Sequence, residues 1–237
     1  MTEKILNKII SELEIIYKSN KKPLKSNILD TLVATKLSQN TTDKTSYKAY
    51  NNIKKRYKTW EEVASAPLTA IKKEIRVCGM ADTKARDIKN MLVQMKKKYG
   101  SLNLEFLNDY KTSEIYNELL QYKGIGIKTV SCVLAFSMSR EVFPVDTHIH
   151  RILNRLGIVK TKSPEETFKK SEKLIPGKKK ISFHRNLIKF GREICRANKP
   201  LCGLCRLYDY CKYEDKEKFY KSKAFKKEND FLILDNI

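Results

Sequence analysis

The stretch Leu119-Leu120-Gln121-Tyr122-Lys123-Gly124-Ile125-Gly126-Ile127-Lys128-Thr129-Val130 sets two glycines between two apolar helical runs. Gly-x-Gly lets the backbone turn tightly and exposes amides where the second helix begins. Those amides and the helix dipole can hold a phosphate oxygen. Such a grip fastens on a nucleic-acid backbone without reading its sequence. An ordinary helix–helix turn looks the same, so the hairpin alone names no partner.

Helical spacing extends from this hairpin in both directions. Upstream, Ile5, Ile9, Leu13 and Ile16 mark one face of a first helix, and Pro23 separates it from a second carrying Ile28, Leu29, Leu32, Val33 and Leu37. Thr42-Asp43 can cap a third with Tyr47, Tyr50, Ile53 and Tyr57. Pro67 opens a helix that runs to Val77 and is stopped by Gly79. Ala85, Ile88, Leu92 and Met95 mark the next, closed by Gly100. Further helices are expected over 115–120, 128–136, 147–156, 164–174 and 182–194. No period-two run bounded by hairpin turns appears, so the predicted class is all-α. Residues 213–237 mix lysine and acid and finish on Phe231-Leu232-Ile233-Leu234, which reads as a terminal helix or a mobile tail with a sticky tip.

The charge of the chain narrows its partners. Lys and Arg total 49 against 27 acids in 237 residues, a net charge of +22. Self-repulsion of this size is eased by a polyanion. DNA and RNA lead, with an anionic membrane surface behind them, although lysine-rich codon usage contributes to such a balance. No window of spanning length is free of charge, which excludes a transmembrane helix. Met1-Thr2-Glu3-Lys4 lacks a signal peptide's apolar run. The expectation is a soluble, cytoplasmic protein.

Six cysteines in such a chain argue against disulfides. Cys78 and Cys132 stand alone in apolar company and read as small core residues. The other four follow the spacing Cys195-x6-Cys202-x2-Cys205-x5-Cys211. Four thiolates enclose either a tetrahedral zinc or an iron–sulfur cluster. Zinc sites usually pair two C-x2-C knuckles, and only one is present. The wide gaps lean towards the larger object and leave zinc open.

Eighteen residues past Lys128 comes Pro144-Val145-Asp146-Thr147-His148-Ile149-His150-Arg151. Asp146 can cap the helix that follows, or serve chemistry at a helix N-terminus, where the dipole favours its charge. His148 and His150 are too few to make a metal site.

Taken in order, the Gly-x-Gly-x-Lys-Thr hairpin, Val145-Asp146-Thr147-His148 and the four-cysteine loop resemble the endonuclease III group of helix–hairpin–helix DNA glycosylases. The similarity covers roughly residues 5–212. It implies two helical lobes with a DNA cleft between them. One is a six-helix lobe of about 22–138. The other is a cluster lobe combining 1–21 with 139–212, and 213–237 is left as an extension. It implies a 4Fe–4S cluster on Cys195, Cys202, Cys205 and Cys211, which favours the cluster over zinc. Lys128 matches the family's catalytic lysine and Asp146 its catalytic aspartate. Leu37-Ser38-Gln39-Asn40-Thr41-Thr42-Asp43 resembles the segment that fills the gap left by an extruded nucleotide. The family commonly has glutamine where Asn40 stands, so Gln39 and Asn40 both qualify. Gly79-Met80 resembles a turn whose apolar residue wedges into the opposite strand. Lys123 stands where proline usually precedes the first hairpin glycine; a cation there strengthens phosphate binding while the turn loses rigidity. Gly124, Gly126, Thr129, His148 and Arg151 are further expected DNA contacts, as are Arg196, Lys199 and Arg206 on the cysteine loop.

The resemblance implies a base-excision repair enzyme that flips a damaged base from duplex DNA, removes it and nicks the strand by β-elimination at the abasic site. The lysine acts through a Schiff base. Oxidised pyrimidines are the family's expected lesions, and a DNA-associated monomer is the expected state. A mismatch thymine, uracil or adenine glycosylase is an alternative. The adenine-specific relatives usually lack the lysine and have a glutamate on the second helix, where this chain has Thr31, Thr35 and Lys36. A non-catalytic cluster-bearing DNA-binding protein is disfavoured by Lys128 and Asp146 together. A zinc-binding RNA module is more remote.

Overall fold

Side-chain oxygens set where many of the helices begin. Asn27 accepts from the Leu29 amide at 2.8 Å, Thr42 from Thr45 at 3.3 Å, Thr59 from Glu62 at 3.2 Å, Asp146 from Ile149 at 2.9 Å and Ser163 from Glu166 at 3.2 Å. The structure, a computed structural model, describes residues 2–18, 26–221 and 231–237. Among these it is helical with no strand, as the all-α reading expects. The chain divides into two units, Met1–Lys22 with Glu141–Asp230, and Pro23–Arg140 with Phe231–Ile237. The Pro23 break lies outside the described residues.

The hairpin unit contains α2 (Ile28–Leu37), α3 (Asp43–Arg56), α4 (Trp60–Ser65), α5 (Leu68–Ile75), α6 (Ala81–Tyr99), α7 (Thr112–Leu120) and α8 (Ile127–Cys132), after α1 (Glu3–Tyr17) of the other unit. α2 is buried on every side except at Asp30 and packs against α3, α6 and α8. A helix buried all round needs apolar residues all round, which explains the run Ile28–Leu37 and makes Lys36 within it conspicuous. α4 does not appear among the sequence expectations. Its signal is the pattern Thr59-Trp60-Glu61-Glu62, in which the Thr59 hydroxyl accepts from the Glu62 amide at 3.2 Å and the Glu62 carboxylate accepts from the Lys58 amide, one residue before the cap, at 2.8 Å. Residues 231–237 return to this unit. Leu232, Ile233 and Leu234 are buried against α2 and α3, and the Phe231 ring lies 4.9 Å from that of Tyr47. The sticky tip is therefore docked, and residues 222–230 lie outside the described part of the expected tail.

The cysteine unit contains α1, α9 (Thr147–Arg155), α10 (Pro164–Ser171) and α11 (Lys180–Glu193). α11 packs between α1 and α9, and α10 packs on α9. The buried face of α1 is Leu6, Ile9, Ile10 and Leu13. That face is rotated from the expected one, leaving Ile5 and Ile16 half-buried, because Leu6 and Ile10 complete an equally regular stripe. Beyond α11 the chain runs through short 3-10 turns around the four cysteines.

Candidate functional site

The hairpin joins α7 to α8. Gly124 has φ +81°, a conformation that favours glycine. The Ile125 amide donates to the Tyr122 carbonyl at 3.0 Å, and Ile125 is buried beneath the turn. Gly126 is extended and caps α8, with its carbonyl accepting from Thr129 at 2.9 Å and Val130 at 3.1 Å. Lys123, Gly124 and Gly126 are exposed, Lys128 is half-buried in the first turn of α8, and Thr129 is buried. The hairpin thus presents glycine backbone and the lysine together.

Beside it, the segment after α2 carries the two candidates for gap filling. Gln39 is half-buried and its Nε2 donates to the Gly124 carbonyl at 3.2 Å. Asn40 is exposed with φ +52°, and its Nδ2 donates to Met80 Sδ at 3.7 Å. Met80 is 56% exposed at φ +51°, following Gly79 at φ +66°. Two non-glycine residues in left-handed conformation, side by side at a surface, are strain of the kind functional segments hold. The gap-filling and wedge candidates therefore meet in the hairpin unit.

Three buried charges underlie these loops, and their role escaped the sequence reading. Lys84 is 2% exposed and donates to the Leu37 carbonyl at 2.8 Å and the Cys78 carbonyl at 2.9 Å. It ties the end of α2 to the turn before Met80. Burial pushes its ammonium below the ordinary lysine value. Lys36 pairs with Asp87 at 2.7 Å. The signal was a lysine on the apolar register of α6, four residues before Ile88. Lys84→Met is expected to destabilise the protein by about 2–4 kcal/mol, because two buried carbonyls lose their donor. Urea denaturation checks this, and unchanged stability contradicts it.

In the cysteine unit, Asp146 is the cap of α9. Its carboxylate accepts from Ile149, so the cap fixes its direction at a helix N-terminus, and the two roles foreseen for it are compatible. Arg151 is turned inward. Its Nε and Nη2 donate to the Cys195 carbonyl at 3.0 and 2.9 Å, and Nη2 also donates to the Gly191 carbonyl at 3.1 Å. Arg151 Nη2 lies 3.2 Å from His148 Nδ1. Burial, helped by Arg151 and Arg192 and opposed by Asp146, holds the His148 imidazole below the usual histidine value. His150 shares a 2.6 Å hydrogen bond with the Thr167 hydroxyl, a packing role. A chain of contacts thus runs from the Asp146 helix to the cysteine loop.

Cys195, Cys202, Cys205 and Cys211 line one cavity, closed by apolar atoms of Leu156 and Phe190. Burial and the neighbouring sulfurs raise the thiols of Cys202 and Cys211, and that of Cys205 is pushed up to about 12. Four thiolates here need a cationic centre to offset their repulsion and lost hydration. Arg155 donates to Cys195 Sγ at 3.5 Å, and the Lys216 ammonium to the Cys211 carbonyl at 3.1 Å. Among the described residues, no three His, Cys, Asp or Glu converge as the ligands of a single ion do. The four cysteines line this one cavity, and four sulfur donors suit either a metal ion or an iron–sulfur cluster. Arg196 is half-buried, with Nε on the Arg192 carbonyl at 3.2 Å. Lys199 and Arg206 are exposed.

Residues 33–177 match the HhH-GPD superfamily of base excision DNA repair proteins, and the chain belongs to it. Within that superfamily it is a member of the endonuclease III family. It is 35% identical over 182 residues to endonuclease III of Thermotoga maritima, covering 77% of this chain and 81% of that protein. It is 38% identical over 174 residues to a putative DNA glycosylase of Arabidopsis thaliana, covering 72% of this chain but only 59% of that protein's length. A solved structure of a non-covalent endonuclease III–DNA complex matches with a TM-score of 0.79 and 27% identity, covering 92% of this chain and 98% of that one.

Proposed function

We propose that this protein is a base-excision repair DNA glycosylase and AP lyase, with Lys128 as nucleophile and Asp146 as the assisting carboxylate. The observation that carries this reading is a lysine in the first turn of the helix leaving a Gly-x-Gly hairpin, in a chain of the endonuclease III family. A base within a duplex is out of reach, so the nucleotide is flipped out at a cost of about a few kcal/mol, less for a damaged base. Asn40 is the better candidate to fill the vacated space, since it is exposed while Gln39 is half-buried on the Gly124 carbonyl. Met80, beside Asn40, wedges the opposite strand. Lys123, Gly124 and Gly126 hold phosphate.

Departure of the base builds positive charge on the sugar, which the Asp146 carboxylate stabilises. The neutral amine of Lys128 bonds to the anomeric carbon as the bond to the base breaks, and the base leaves with a proton. The nitrogen lone pair then breaks the bond from the anomeric carbon to the ring oxygen, that oxygen takes up the nitrogen's remaining proton, and the Schiff base results. A proton then leaves the adjacent carbon, and the bond to the 3′ phosphate breaks, which nicks the strand. A serine or tyrosine at this position would stop the reaction at base removal.

Cys195, Cys202, Cys205 and Cys211 would hold a 4Fe–4S cluster. When bound, the cluster supplies the positive centre that fixes the loop carrying Arg196, Lys199 and Arg206. The exposed Lys199 and Arg206 then meet DNA phosphates, so affinity falls with salt in proportion to the phosphates neutralised. The substrate is duplex DNA bearing an oxidised pyrimidine or an abasic site, and the enzyme acts as a monomer on cytoplasmic DNA. Base release from a duplex set tests the substrate class. The expected result is release of an oxidised thymine in preference to thymine or uracil opposite guanine, or adenine opposite an oxidised guanine. Release confined to the mismatches contradicts the assignment.

A further inference from the structure

We propose that the buried Lys36–Asp87 ion pair, with the Gln39 amide, is a brace that holds the Gly124 carbonyl and so fixes the hairpin that carries Lys128; this rests on the reading of Lys128 as nucleophile. The side chains of Lys36 and Asp87 are only 6% and 8% exposed, and Nζ lies 2.7 Å from Oδ2. Nζ also donates to the Gly124 carbonyl at 3.5 Å, where Gln39 Nε2 donates at 3.2 Å. A Cβ on Gly124 would stand 2.0 Å from Nζ and 3.0 Å from Oδ2. The hairpin therefore sits directly on the ion pair, and only glycine lets it.

A buried ion pair is a poor source of stability, since an apolar pair of similar volume does as well or better. Its place in the fold suggests a positional role. Lys36 is on α2, just before Gln39 and Asn40. Asp87 is on α6, whose first turn follows Met80. The carbonyl they approach belongs to the hairpin. One pair thus sets the gap-filling segment, the wedge turn and the phosphate-holding turn against each other. Lys123 precedes the glycine turn, and a proline there would lock one φ near −65°. Here the turn is held from beneath by the ion pair and the Gln39 amide.

The test is the Lys36→Met/Asp87→Leu double variant, which avoids leaving one charge buried alone. It is expected to melt at or above the wild-type temperature. Its amides over 124–128 should exchange about tenfold faster, and it should trap abasic DNA at saturation about tenfold or more slowly, since small displacements of a reacting group are costly. Adding Lys123→Pro to the double variant is expected to restore both, a rescue that loss of packing would not give. Gln39→Ala covers the case in which the double variant fails to fold. It should speed exchange over the same amides with no change in melting temperature. Wild-type exchange in these variants, or failure of Lys123→Pro to restore, overturns the brace. A wild-type protein that forms no adduct, while its hairpin exchange still responds to the variants, removes Lys128 as nucleophile and leaves the brace standing.

Discussion

Lys128→Gln is expected to form no borohydride-trapped adduct and to nick abasic duplex DNA about a thousandfold or more slowly, while still binding it. The amine is the atom that bonds to sugar, and no neighbouring group on α8 replaces it: Ile127, Thr129 and Val130 have no amine. Loss of a covalent nucleophile is among the largest effects a single substitution produces. Binding is spared because the glycine turn and the cations around it remain, and one lost charge weakens it by less than about tenfold. Single-turnover nicking and gel-shift titration on the same duplex separate the two quantities. Nicking retained at near wild-type rate places the nucleophile elsewhere.

Cys205→Ala is expected to strip iron and sulfide from the protein and to unfold the loop around residues 195–211. Binding free energy at a structural metal site is folding free energy, on the order of 10 kcal/mol. The loop's other ties are mainly hydrogen bonds to its backbone, from Arg151 to the Cys195 carbonyl and from Arg155 to the Arg196 and Ala197 carbonyls. The loop itself consists of short 3-10 turns, with Pro200, Leu201 and Leu207 as its buried aliphatic residues between the first and last cysteine. Arg151 would also lose a fixed Cys195 carbonyl, so the loosening reaches α9 and the Asp146 cap. Iron and acid-labile sulfide assays, with limited proteolysis across the loop, read both effects. Cys132→Ala is the control. It removes a buried thiol outside the loop, costs about 1 kcal/mol, and should keep the iron. Full iron content in Cys205→Ala would remove that residue from the ligand set.

Much of this was legible in the sequence because it depends on local spacing. Helical periodicity and caps such as Thr42 and Asp146 are set by residues three or four apart. The hairpin and the cysteine loop are contiguous. The short helix at Trp60 was marked by its Thr59 cap but has too few turns to show a period. The rotated face of α1 shows the opposite limit, since Leu6 and Ile10 compete equally with Ile5 and Ile16 until α11 selects one stripe. The supports of the site were not legible. Lys36, Lys84 and Asp87 look like ordinary surface charges. Their meaning lies in carbonyls far along the chain, at Gly124, Leu37 and Cys78. A charged residue on an apolar register was the available clue, and only the fold supplies its partner.

The chemistry assigned to Lys128 is tested most directly by reducing the wild-type enzyme with borohydride on a duplex containing one abasic site, digesting the adduct and locating the modified residue by mass spectrometry. A sugar remnant on the ε-amine of Lys128, and nowhere else at comparable yield, is the predicted result. A remnant on another lysine or on the N-terminal amine, or the absence of any adduct, contradicts it.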